Sequence, residues 1–137
     1  MNKKGFTLIE LMVVIIIIAV VATVGMAGVS GITSSIKKNL WSKKVTLIEE
    51  SARNYGEDNT MLLVGSCPQI GKTSGCLDIP VETLISNGYI TTKERDKNNK
   101  KVITNDTKEE NEKGYYVNNT RVYIYKENNI VYAKLAE

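Results

Sequence analysis

Glu10 stands at the edge of an uncharged run, residues 11–29, in which Thr23 is the one clearly polar side chain. A charged carboxylate in hydrocarbon is costly unless it meets a positive group. Glu10 is therefore the residue best suited to a specified electrostatic contact; the plainer reading is a carboxylate resting at a headgroup boundary, where the cost is small. Elsewhere few residues suit chemistry. The chain has no His, which removes imidazole acid–base catalysis and most zinc and non-haem iron sites. Two cysteines, Cys67 and Cys76, do not make a four-thiolate metal site. The acids are scattered, and no pair stands beside an apolar pocket. GKTSG (71–75) lacks the frame and the strand-to-helix context of a phosphate-binding P-loop. No catalytic residue, metal ligand or cofactor is expected, and the chain reads as a non-enzyme.

These residues lie in two unlike segments. The first is apolar; beyond residue 36 lie nearly all of the charged side chains, so the overall 24% charged fraction is an average of the two. The formal charge of +3 is small, and Lys3 and Lys4 supply part of it. A nucleic-acid binder of this size usually shows a basic stripe. The one dense basic patch, RDKNNKK (95–101), is punctuated by Asn and reads as a solvated loop. No specific nucleic-acid partner is expected.

The run 11–29 would extend about 29 Å as a helix, close to the roughly 30 Å hydrocarbon core of a bilayer. The rest of the chain is too small to surround so long an apolar rod, so membrane insertion is expected. In lipid every backbone group must be paired internally, which forces a helix despite the many β-branched residues. A cleaved secretory signal is the rival reading, but its apolar region is normally only about 7–15 residues. For a retained anchor, Lys3 and Lys4 would stay cytoplasmic and the bulk of the chain would lie outside, although Lys37, Lys38, Lys43 and Lys44 follow the span closely. Gly25, Gly28 and Gly31 suit either close helix packing or local loss of helix.

The stretch GFTLIELMVVIIIIAV, beginning at Gly5, resembles the processing and assembly signature of type IV pilins and pilin-like proteins. The resemblance implies that Gly5 ends a leader removed by a prepilin peptidase, and that Phe6 becomes a new, usually methylated, N-terminus. It implies that Glu10 pairs with the terminal amine of a neighbouring subunit, among the matching apolar residues Leu8, Ile9 and Leu11. An amine and a carboxylate withdrawn from water stabilise each other only when paired, so Glu10 would set register as well as hold subunits together. Many members carry a Pro in the middle of this helix; here the prolines are Pro68 and Pro80. The implied fold is α+β, the type IV pilin fold: a long N-terminal helix packed against a small C-terminal antiparallel β-sheet domain.

The remaining elements are legible by pattern. In SSIKKNLWSKKVTLIEESARNY (34–55), Trp41, Val45, Ile48, Ala52 and Tyr55 recur at spacings of four and three, one helical face that needs a domain against it. Gly56 would end the helix. The charges around the stripe, Lys44 and Glu49 included, read as a solvated face with weak ion pairs. MLLV (61–64) is expected as a short strand or buried connector. Cys67 and Cys76 are expected to form a disulfide, which suits an extracellular domain with a modest core. DIPVETLISNG (78–88) reads as a short helix with Pro80 in its first turn. Residues 93–113 read as strongly polar, with a brief strand at a small apolar island, Val102 and Ile103, flanked by mobile loops. Three antiparallel strands are expected at 115–117, 121–126 and 130–135, with turns at Asn118-Asn119 and Asn128-Asn129. Neither N-x-T pattern, at Asn105 and Asn118, is assigned a sugar.

The resulting organisation is a leader at 1–5, a transmembrane and filament-core half at 6–33, an amphipathic half at 34–55, and a globular domain at 56–137. The expected function is that of a structural subunit of a type IV pilus, serving motility, adhesion, aggregation or biofilm formation. Its expected location is the cell membrane before assembly, with the globular domain outside, and the surface filament afterwards. The implied partners are other copies in a helical homo-oligomer, the prepilin peptidase and methyltransferase, and the assembly platform with its ATPase. Two alternatives share the N-terminal residues: a minor pilin or a pseudopilin of a type II secretion or DNA-uptake machine, and a monomeric anchored extracellular binding protein.

Overall fold

The computed structural model describes residues 8–137, with the side chains of 23–30 excluded. The leader, Gly5 and Phe6 lie outside the described residues. Two units are distinguished, Met1–Lys37 and Lys38–Glu137. Helix α1 (Leu8–Asp58) contributes to both. In the first unit the described apolar side chains of 8–22, about fifteen residues, are exposed.

Among the described residues no helix is long and apolar enough to cross a membrane. This corrects the expectation of a transmembrane helix, and with it the long-helix type IV pilin fold and the membrane-anchored location. The structure shows a short described apolar helical stretch and a small, open four-stranded antiparallel sheet.

The sheet belongs to the second unit and has the order β1-β2-β3-β4. Its strands are β1 (Gly65–Cys67), β2 (Lys72–Pro80), β3 (Arg121–Glu127) and β4 (Ile130–Leu135). The hairpin β3–β4 forms because alternating Val, Tyr and Ile suit a pleated surface and Asn128-Asn129 supplies the turn. Both Asn residues have positive φ, 49° and 67°, as a two-residue hairpin turn requires. Strand β2 pairs with β3 from Cys76↔Tyr125 to Pro80↔Arg121. Its last residues, 78–80, open the stretch expected as a short helix. As a result the helix α2 (Val81–Ser86) is shorter than expected, with Pro80 as its N-cap rather than inside its first turn.

Pleat alternation gives the sheet two different faces. Val122, Ile124, Val131 and Leu135 lie in the main core with Ile48 and Ala52 of α1, and Trp41, Val45 and Tyr55 pack against that core as partly buried neighbours. Tyr123 faces the other way, into a small cluster with Cys67, Cys76, Ile70 and Tyr125. MLLV (61–64) forms no strand: residues Thr60–Leu62 are a 3-10 turn, Leu63 is buried in the main core, and Met61 is 91% exposed. The expected strand at 115–117 reduces to a single bridge, Thr104↔Tyr116.

Gly56 does not stop α1, which continues to Asp58. A Cβ built at Gly56 would overlap Ile124 Cγ2 and approach Val131 Cγ1. The glycine lets the helix backbone close onto β3 and β4, and Ile124 is fully buried with little room to retreat. Gly56→Ala should therefore destabilise the protein by about 1–3 kcal/mol in urea unfolding through overpacking. A stabilising effect, as the roughly 1 kcal/mol helix-propensity gain alone would give, would show that the contact yields.

Candidate functional site

Three groups of side chains organise the polar part of the second unit. The first centres on Lys44, one turn before Ile48 on α1. Its Nζ donates to Glu94 Oε1 at 2.6 Å and to the Thr104 carbonyl at 3.0 Å. It also forms an ion pair with Asp106 Oδ2 at 2.8 Å, outside hydrogen-bond geometry. Glu94 Oε2 in turn accepts from the Thr104 backbone N–H and hydroxyl, at 2.8 and 2.9 Å. Burial pushes the Lys44 pKa down, but Asp106 and Glu94 outweigh it and hold the ammonium above its ordinary value. A lysine kept protonated by two carboxylates is not a nucleophile. The group instead fastens the polar stretch around 94–106 to the helix. Pattern reading treated Lys44 as part of a solvated face, since nothing local signals acids 50 and 62 positions away (94 − 44 and 106 − 44).

The second group centres on Asn118, which is buried. Its Oδ1 accepts from Ile103 N–H, and its Nδ2 donates to Glu82 Oε2 and the Lys101 carbonyl. Its own carbonyl accepts from Glu82 N–H. One amide thus joins the start of α2 to the 101–103 stretch. Glu82 also meets Lys100 at 2.9 Å; Lys100 and then Asn118 hold its carboxyl below the usual carboxylate range. Asn105 is likewise buried, its Oδ1 accepting from Thr107. The stretch 93–113, expected as mobile loops, is therefore tied down at named points. Among them is a turn at Asp96, whose Oδ1 accepts from Asn98 and Lys100 N–H.

The third group is the disulfide Cys67–Cys76, with Cα atoms 5.9 Å apart. It joins the neighbouring strands β1 and β2 and is covered by Tyr123. Closing so short a loop stabilises by roughly 2–3 kcal/mol. Glu49 was also read as solvated, yet its Oε1 accepts the Leu135 N–H at 3.0 Å on the outer edge of β4. Among the described residues no group of His, Cys, Asp and Glu could hold a metal ion.

At the other end of the chain, Glu10 is exposed on the first described turn of α1. The prokaryotic N-terminal methylation motif matches residues 1–26. That match takes in Gly5, Phe6 and Glu10 and leaves the second unit uncovered. No curated protein matches the chain, and no solved structure matches it.

The chain thus carries a methylation motif typical of prepilin-like proteins. The expectation of a major pilus subunit polymerising through a long apolar helix is corrected, because among the described residues no helix is long and apolar enough to cross a membrane. The associated expectations of motility and of a surface filament are corrected with it.

Lys44→Met should cost about 1–2 kcal/mol in denaturant unfolding. It leaves Glu94 and Asp106 facing each other, and their partial exposure reduces the roughly 3–5 kcal/mol seen on breaking a fully buried pair. Glu82 has a lowered folded pKa, so its stabilisation is present above the unfolded value of about 4.3. It is lost as pH falls through the depressed folded value. Glu82→Gln should therefore flatten part of the acid limb of a stability–pH profile measured from pH 6 downwards; an unchanged limb would show that Lys100 and Asn118 contribute nothing there.

Proposed function

We propose that this chain is a prepilin-like accessory protein of the minor-pilin or pseudopilin kind. The observation that carries the reading is the methylation motif over residues 1–26, a stretch in which the sequence carries Gly5, Phe6 and Glu10. In this reading a prepilin peptidase cuts after Gly5, and its methyltransferase activity modifies the new Phe6 amine. Glu10 then meets the terminal amine of a neighbouring pilin-like subunit, through the assembly platform and its ATPase. The second unit works by contact rather than by catalysis. Its own core and its disulfide support that part of the reading, since a disulfide suits a protein that functions in an oxidising compartment.

The accessory role is favoured over the major-subunit role because, among the described residues, no helix is long and apolar enough to cross a membrane. Expression of the full chain with and without a prepilin peptidase tests the reading by intact-mass spectrometry. The expected product lacks residues 1–5 and begins with N-methylated Phe6, and Gly5→Leu should block its formation. An uncut chain, or a new N-terminus elsewhere, would overturn it.

A further inference from the structure

We infer that the second unit holds a binding site for an acidic saccharide, in the cavity of about 490 Å³ beside Trp41. This volume lies within the roughly 300–1,000 Å³ of small-molecule sites. Its walls bring together an indole (Trp41), an amide (Asn105), a hydroxyl (Thr120), two ammonium groups (Lys108 and Lys113) and a carboxylate (Glu137). Each matches one part of a sugar acid. The indole offers an apolar surface to the C–H face of a pyranose ring. Lys108 and Lys113 have no ion-pair partner among the described residues, although Lys108 Nζ donates to the Lys113 carbonyl at 2.7 Å. That bond places one ammonium at the cavity wall; the wall then holds two ammonium groups against the one side-chain carboxylate of Glu137, and a ligand carboxylate would balance the second.

Asn105 strengthens the assignment. Its Oδ1 is already occupied by the Thr107 N–H and hydroxyl, and that bond fixes the amide orientation. Its Nδ2 has no partner among the described residues and remains a donor for a ligand oxygen. Glu137 and Thr120 accept from sugar hydroxyls. A phosphate group fits less well: the cavity has no Arg fork, and the Glu137 carboxylate in its wall disfavours a dianion. A monoanion carrying several hydroxyls satisfies both signs of charge. The inference does not depend on processing at Gly5.

The chain has a single Trp, so indole emission reports on Trp41 alone. The full chain would be titrated with D-glucuronic acid, with D-glucose and with inorganic phosphate. Trp41 emission and the amide NMR shifts of Asn105 and Gly114 would be followed together. A saturable response to glucuronic acid, absent with glucose and phosphate and weakened about tenfold or more in Lys108→Gln/Lys113→Gln, is the expected result. Both lysines are exposed, so the double variant should keep its fold, which circular dichroism checks. No saturable change in either signal, an equal response to phosphate or glucose, or a double variant binding as the parent would overturn the assignment.

Discussion

The second unit depends on the burial of one stripe of α1 against one face of the sheet. Ile48 and Ala52 are fully buried there, among Val122, Ile124, Val131 and Leu135. Each fully buried Val, Leu or Ile side chain contributes roughly 1.5–3 kcal/mol, and Val81 and Leu84 of α2 join the same core. The closeness of the approach is set by Gly56, where the helix backbone meets Ile124 and Val131. The opposite face is closed more economically, by the disulfide and Tyr123. The two coverings explain why a short chain with two prolines and many polar residues still builds one sheet with an interior on both sides.

The polar middle of the unit follows from the same packing. Once α1 is seated, Lys44 is held within reach of Glu94 and Asp106, and the 94–106 stretch is drawn onto the helix. Asn118 then links the 101–103 backbone to α2, so that Val102 and Ile103 can be buried without leaving their neighbouring backbone groups unpaired. Polar residues here replace the apolar core that the segment lacks. They also shape the walls of the cavity beside Trp41, whose Asn105 comes from this segment.

What the sequence made legible is what short-range pattern controls. The stripe from Trp41 to Tyr55 could be read because its spacing matches a helix turn. The β3–β4 hairpin could be read because Asn128-Asn129 tolerates positive φ between two alternating runs. Cys67 and Cys76 could be paired because only two cysteines are present. The losses occurred where partners are distant. Strand β2 was obscured by Gly71 and Gly75, whose turn character is real, with φ of 72° and 68°, while its strand character depends on β3. Gly56 looked like a helix end because a glycine needed for close packing and one needed for a left-handed cap are the same residue in a sequence. Lys44 and Glu49 looked solvated because their partners lie far along the chain. At the N-terminus the motif was legible and the methylation-motif match agrees with it. The larger inference to a membrane-spanning filament core outran it, since among the described residues no helix is long and apolar enough to cross a membrane.

The seating of α1 on the sheet is the claim on which the core, the polar segment and the cavity all rest. Native-state hydrogen exchange, followed residue by residue against denaturant, tests it most directly. The account predicts that the amides of residues 45–56 and of 122–124 merge into one opening with a common free energy and a common denaturant dependence. Helix amides that exchange freely by local opening, while the strand amides stay protected, would contradict it.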